Sequence, residues 1–386
     1  MDAHELLDII HCGETSRVQF KLMFDHPDKI AAEIISMSNS KGGIIIFGVD
    51  DKTGDVVGLD YAGLQTISNK LAAAANDLVK PQADITTEVV VVGQKKVLLA
   101  EVGEGTNKPY KDNNGAIWIK RGADKRRVTD NQEIARMFQQ SGLVHMDEMT
   151  VPGTGANDLD KTKVTEYVER IFKKNPVDFN LPEETLYQNL DIVKNTRLTL
   201  GGLLFFAKEP QRHKPALCVK AVSFVGNSIG GLTYRDSRDM VGTIPELYKE
   251  SMLFFRQNLR HVQRGQNFNR PGILEISETA LEELLQNALI HRDYSKNAPI
   301  RLMVFDNRVE ITSPGCLPNS LTVEKIKMGN AAVRNNLLSS YASRLMNYKG
   351  FGSGVVRAME EQPGIEFFND EEGQQFTVKI PREPVH

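Results

Sequence analysis

The sequence predicts a mixed α/β (α+β) protein of two or three domains, and three observations carry that expectation. Ile44-Ile-Ile-Phe-Gly-Val49 is an unbroken apolar run of strand length, the pattern of a strand buried on both faces. Leu281, Leu284, Leu285 and Ala288 recur at i, i+3, i+4 and i+7, the stripe of a helix with one buried face. The chain has 386 residues, 40% of them hydrophobic and 25% charged, which suits a globular protein with more than one core.

Taken in order, residues 2–11 read as a short amphipathic helix and Val18–Leu22 as an alternating strand. Residues 27–39 read as a helix stopped by Gly42-Gly43, and 44–49 as the buried strand. Asp50-Asp-Lys-Thr-Gly54 is a turn, with Asp and Gly where a turn uses them. A helix at 62–79, strands at 83–92, 95–102 and 116–120, and a helix at 131–141 complete a first unit. Residues 144–160 carry Pro152, Gly153, Gly155, Asn157 and Asp158 without periodicity, and read as a linker. A helix from Val164 to Phe172, strands at 216–225 and a helix at 243–261 follow. Then come the Glu283 helix, strands at 300–305 and 308–311, a glycine-rich loop at 350–354, a helix, and a last strand at 375–380.

Net charge is −3, so no global field draws nucleic acid, and any such binding must use a local patch. The three cysteines, Cys12, Cys218 and Cys316, lie far apart and have no metal-type spacing, which fits a reduced compartment. No apolar run has membrane-spanning length, and the acidic start lacks a secretory pattern, so a cytoplasmic protein without membrane partners is expected. There is no G-x-x-x-x-G-K-[ST] loop, which leaves helicase motor activity without support.

The segment Glu283-Leu-Leu-Gln-Asn287-Ala-Leu-Ile-His291-Arg-Asp-Tyr294 is the most informative. It sets an acid, an amide and an imidazole four residues apart on one helical ridge. A carboxylate can orient water and a carboxamide oxygen can ligate a hard cation, so the pair suits a metal-nucleotide site. The competing reading is a solvated polar face. Lys120-Arg121 and Lys125-Arg126-Arg127, beside Trp118, form a basic strip suited to phosphates and unpaired bases. Its competing reading is a solvated hairpin. Arg292 and Tyr294 read as structural rather than functional.

Several ordered motifs carry a family resemblance. In the first half they are Glu14-Thr-Ser-x-x-Gln-Phe-Lys21, Ser38-Asn-Ser-Lys-Gly-Gly43, Phe47-Gly-Val-Asp50 and Ile119-Lys-Arg-Gly122. This half resembles the Schlafen AlbA-like domain. In the second half they are Leu198-Thr-x-x-Gly202-Leu-Leu-Phe-Phe206, Glu283 to Tyr294, Asp306-Asn-Arg-Val-Glu-Ile311, Ser313-Pro-Gly-Cys-Leu-Pro318, Arg334-Asn335 and Gly350-x-Gly352-x-Gly354. This half resembles the divergent GHKL-type ATPase domain, an α/β sandwich. Together they look like bacterial proteins described as transcriptional regulators and labelled helicase-related.

The resemblance implies four regions: a nucleic-acid-binding domain at 1–143, a linker at 144–160, a connecting region at 161–270 and an ATP-binding domain at 271–386. It implies ATP and Mg2+ as ligands, with slow hydrolysis an open question. Glu283 matches the acid that activates water, Asn287 the Mg2+ ligand, and Gly350, Gly352 and Gly354 the phosphate lid. His291 and Gly315 join the nucleotide site. Ser313 stands where the group has the base-reading Asp, with Asp306 as a substitute from the preceding strand. Nucleic-acid contacts are expected from Lys21, Trp118, Lys120, Arg121, Lys125, Arg126 and Arg127, and a homo-oligomer by analogy with paired GHKL modules. A Schlafen-type nuclease is the rival. Glu14 matches its first acid, but Gln19 replaces a carboxylate, with Asp50 or Asp51 as the remaining acid. The family's C-terminal winged helix is expected to be missing, since the chain stops at His386 soon after the last strand.

Overall fold

The computed structural model describes residues 1–230, 233–263, 272–318, 321–346, 348–350 and 352–382. The chain divides into two compact units, Met1–Leu143 and Val144–His386. The first contains α1 (Ala3–Cys12), β1 (Val18–Lys21), α2 (Pro27–Ser38), β2 (Gly43–Phe47), α3 (Tyr61–Ala73), β3 (Ile85–Val92), β4 (Lys95–Val102), β5 (Trp118–Arg121), β6 (Asp124–Arg127) and α4 (Asn131–Gln140). Its main sheet has the order β1-β2-β4-β3, with β1 and β2 parallel and the other pairs antiparallel. The run of isoleucines in β2 is explained by burial on both faces. Ile45 and Phe47 pack with Ile30, Ile34 and Ile35 of α2 and with Ile67 and Leu71 of α3. Ile46 packs on the opposite face with Leu6 and Ile10 of α1. Asp2 caps α1 through a capping box with Glu5, which explains why that helix starts where it does.

The second unit contains α5 (Lys161–Phe172), α6 (Glu183–Asn189), β7 (Val193–Lys194), β8 (Arg197–Leu198), α7 (Leu200–Phe206), α8 (Pro210–His213), β9 (Val219–Phe224), β10 (Tyr234–Met240), α9 (Ile244–Asn258), β11 (His261–Val262), β12 (Ile273–Leu274) and α10 (Glu278–Ile290). It continues with β13 (Ile300–Val304), β14 (Arg308–Pro314), α11 (Val323–Lys327), α12 (Asn336–Leu345), α13 (Ser353–Glu361), β15 (Glu366–Asp370) and β16 (Gln375–Pro381). A six-stranded sheet runs in the order β10-β9-β13-β14-β16-β15. Only β9 and β13 pair in parallel. The inward residues Ile300, Leu302, Val304 and Ile311 share one core with Leu281, Leu284, Leu285 and Leu289 of α10. Met303 and Phe305 point to the other face, where Phe224 stacks on Phe305 with ring centres 5.0 Å apart. Fold class thus follows the sequence reading, a mixed α/β protein with a layered second half.

Two boundaries differ from the sequence reading. Segment 144–160 is packed into the second unit rather than strung as a linker. Its Val151 N–H donates to Leu198 O at 2.8 Å, and Leu159 forms a bridge with Ala207. The fully buried Asp147 accepts the Leu338 N–H at 3.0 Å. Its glycines and Pro152 serve tight turns, which have no periodicity to read. The division at 270/271 cuts through one sheet: β9 and β10, from the expected connecting region, are two of its six strands. Strand pairing at such sequence separation leaves no local mark.

Candidate functional site

Helix α10 sets the site. Ser277 caps it through Ala280 N–H, and its apolar stripe holds it on the sheet. The opposite ridge carries Glu283, Asn287 and His291, which all line one cavity of ≈ 140 Å³. Ser313, Gly315, Gly350, Gly352 and Gly354 line the same cavity, with apolar walls from Leu284, Ile311, Ile326, Phe367, Phe376 and Val378. The ridge is half-buried, not a freely solvated face.

The glycine loop leads into the N-terminus of α13. Gly352 caps that helix at φ +76°, and a Cβ there would run into the carbonyl oxygen of Gly329. Gly354 lies so close to the ridge that a Cβ would strike the Glu283 carboxylate and come within 3.6 Å of the Asn287 carboxamide. Missing side chains thus bring the first turn of α13 up to the acid and the amide, where its N–H groups and helix dipole favour an anion. Phe351, inside the expected lid, lies outside the described residues.

The rest of the wall is fixed by hydrogen bonds to backbone. Arg334 donates Nη1 to His291 O at 3.1 Å and Nη2 to Cys316 O. Asn335 Nδ2 bridges Ile290 O and Arg292 O at 2.8 and 2.9 Å, taking up carbonyls freed at the end of α10. His291 Nε2 lies 2.7 Å from Tyr348 Oη. Burial, followed by the charge of Arg334, pushes the His291 pKa down to about 4, so at neutral pH the imidazole is uncharged. Burial pushes the Tyr348 phenol up to about 12. Arg292 is buried with its guanidinium 5.2 Å from the Tyr294 ring centre, and Tyr294 Oη donates to Leu289 O at 2.7 Å.

Asp306 falls elsewhere. It sits in the turn after β13, accepts Gly226 N–H at 2.9 Å, pairs with Arg235 at 2.7 Å and is not among the cavity's lining residues. That places it away from the base-reading role, because it precedes the start of β14 whereas Ser313 lies near that strand's end. Ser313 stays at the cavity, its hydroxyl donating to Ala288 O at 3.1 Å. Sequence reasoning missed Arg357. Its guanidinium Nη2 donates to Glu283 Oε1, and it lines the cavity. The available signal was spacing: 354 and 357 are i, i+3 on α13 and share a face.

In the first unit the basic strip is divided by ion pairing between engaged and exposed side chains. Lys120 and Lys125 are paired opposite each other in the β5–β6 hairpin, and both reach Glu33 of α2, at 2.9 and 2.5 Å. Lys120 also donates to Gln19 Oε1 at 2.7 Å and is 1% exposed along its side chain. Arg126 pairs with Glu133 of α4 at 2.6 Å. Trp118 packs against the α2 core and donates Nε1–H to Asp112 at 3.2 Å. Hence Lys120 is a buried structural cation, Lys125, Arg126 and Trp118 are engaged, and Lys21 is half-buried; Arg121 and Arg127 are the exposed members. Glu14 accepts from Gln19 Nε2 and from Phe20 N–H at 2.7 Å. Asp50 accepts Lys52 and Thr53 N–H groups at 2.9 and 3.1 Å, the turn its sequence encodes. Among the described residues no group of three His, Cys, Asp or Glu is arranged to hold a metal ion. No helix among them is long and apolar enough to cross a membrane.

Comparison with known proteins adds the family context. Residues 14–129 match the Schlafen AlbA_2 family. Residues 297–380 match the HATPase_c_4 family, described as "Putative ATP-dependent DNA helicase recG C-terminal". Residues 135–219 match a domain of unknown function. No curated protein matches. Among solved structures, the chain is similar to the DIP2311 protein of Corynebacterium diphtheriae, at 20% identity and a TM-score of 0.46 over 99% of this chain and 80% of that one. It is also similar to the N-terminal domain of a RecG-related protein from Nitrosomonas europaea, at 24% identity and a TM-score of 0.26 over 34% of this chain and 96% of that one. The chain therefore joins an N-terminal Schlafen AlbA_2 domain to a C-terminal ATPase-like domain of the HATPase_c_4 family.

Proposed function

We propose that the second unit binds a magnesium nucleotide, ATP by preference, and that the first contacts nucleic acid, so that the protein acts as a nucleotide-dependent transcriptional regulator. One observation carries the nucleotide reading: Glu283, Asn287 and the glycine-led N-terminus of α13 meet at a single cavity. The donor chemistry fits. The Asn287 carboxamide oxygen suits a hard cation, and the first turn of α13 suits phosphate oxygens. The apolar walls, including Phe367 and Phe376, suit a base. Mg2+, when bound, would neutralise phosphate charge. Glu283 would orient water, and Asn287 and the α13 N–H groups would hold the polyphosphate.

Thermal unfolding with Mg-ATP tests this. At 100-fold over Kd, ligand adds about 2.7 kcal/mol, which for a unit of this size raises the midpoint by roughly 5–10 °C. Asn287→Ala should abolish most of that rise while leaving the ligand-free midpoint within a few degrees. A wild-type midpoint indifferent to millimolar Mg-ATP would dispose of the nucleotide reading.

A second reading keeps nucleic-acid binding and drops the nucleotide. It is favoured by the occupation of Glu283 by Arg357 and by Ser313 in place of a base-reading carboxylate. Under either reading the exposed Arg121 and Arg127 are the groups that meet phosphate. Arg121→Ala with Arg127→Ala should flatten the slope of log Kobs against log salt by roughly 1.8, at about 0.9 for each DNA phosphate no longer neutralised. An unchanged slope would remove this hairpin from the interface.

A further inference from the structure

We infer that Arg357 is the residue that makes the nucleotide site discriminate a triphosphate from a diphosphate, by exchanging Glu283 for the terminal phosphate. This rests on the nucleotide reading above and extends it to a side chain the sequence motifs did not single out.

Three cations line the cavity among the described residues: Arg334, Lys349 and Arg357. Arg334 is committed, since it is buried and donates to the carbonyl oxygens of His291 and Cys316. Lys349 is exposed at the rim of the glycine loop. Arg357 alone is shown on the carboxylate. It emerges from α13 one turn beyond Gly354, the residue whose missing Cβ brings the helix against Glu283. Its side chain is 38% exposed and that of Glu283 20% exposed, so the pair is open to solvent on the cavity side. An ion pair in that setting is weak enough to be exchanged.

A terminal phosphate entering at the α13 N-terminus would bring further negative charge beside Glu283. Two anions competing for one guanidinium favour the one that carries more charge, which is the phosphate, and Glu283 is held through a single oxygen, Oε1. Without nucleotide, Arg357 holds Glu283 in a charge-neutral pair. With the triphosphate present, the carboxylate is released to face water. A diphosphate, shorter by one phosphate, leaves Arg357 where it is.

Isothermal titration of the full chain with Mg-ATP and with Mg-ADP reads this directly. Wild type should prefer ATP. Arg357→Ala should weaken ATP by about ten- to hundredfold, the range for removing one hydrogen bond to a charged group, and leave ADP little changed. Arg357→Lys should restore part of the preference. Glu283→Gln removes the competitor and should tighten ATP but not ADP, a gain that disappears when combined with Arg357→Ala. The unfolding midpoint of each variant without ligand checks folding, and should Arg357→Ala fail to fold, the Lys and Gln variants still decide the matter. An ATP-to-ADP ratio unchanged in the Arg357 variants overturns this inference while leaving nucleotide binding intact. Binding of neither nucleotide by wild type overturns both.

Discussion

Glu275→Ala is expected to destabilise the second unit by about 3–5 kcal/mol, the cost of removing one partner from a buried ion pair. Glu275 is 1% exposed along its side chain. It accepts the Arg260 N–H at 2.9 Å, Arg260 Nε at 2.8 Å, and Arg382 Nη2 at 2.7 Å. Arg382 is itself 7% exposed and also donates to Phe305 O. Truncation strands the buried Arg382 guanidinium, whereas Arg260, 32% exposed, keeps access to solvent. The position matters for the site because Glu275 stands just before α10 and ties the end of α9 and the end of β16 to its start. Burial raises the pKa of this carboxyl, but Arg260 and Arg382 outweigh it and hold it below the usual range. With the folded pKa lowered, its stabilisation is present above the ordinary carboxylate pKa and is lost as pH falls through the folded one. Urea unfolding followed by circular dichroism at pH 7 and pH 4 measures both. A loss under about 1 kcal/mol at pH 7 would show that solvent reaches the pair.

Phe206→Ala should cost about 3–5 kcal/mol as well, by a different route. Phe206 is fully buried in α7. Its ring centre lies 5.1 Å from that of Tyr167 on α5 and 5.0 Å from that of Tyr341 on α12. Three helices meet on this side chain, and its removal leaves a cavity that none of their backbones can close, since interiors relax only in part. A fall of roughly 10 °C in the midpoint of thermal unfolding is expected. Phe206→Leu, which keeps most of the volume, should recover more than half of it. Equal losses for the two variants would mean that ring geometry, not filled volume, holds α5, α7 and α12 together.

Much of the fold was legible, and the reasons are local. The apolar run at 44–49, the i, i+3, i+4 stripe on α10 and the Asp-rich turn at 50–54 are each decided by residues within a few positions. The polar ridge was legible for the same reason, since a helix places 283, 287 and 291 on one side whatever else surrounds it. The basic strip misled because charge counts carry no direction. Lys120 and Lys125 look like Arg121 and Arg127 in sequence, yet the two lysines pair across the hairpin and the buried Glu33 takes both, while Arg127, on the same face two residues on, stays exposed. Asp306 misled likewise. Its type suited a base-reading role, but its place at a strand end hands it to Arg235.

The amino-acid order alone marked the buried strand at 44–49, the helix that carries the acid and amide on one ridge, and the loop that lacks side chains, but not the short elements such as α6, α7, α11, α12 and β15. Tertiary structure decided that β9 and β10 join β13 to β16 in one sheet, that residues 144–160 pack as part of a core, and that Arg357 pairs with Glu283. The division has one physical cause. Hydrogen bonding and periodicity within a helix or turn act over a few residues, whereas strand pairing, burial and ion-pair choice depend on groups tens to hundreds of positions away.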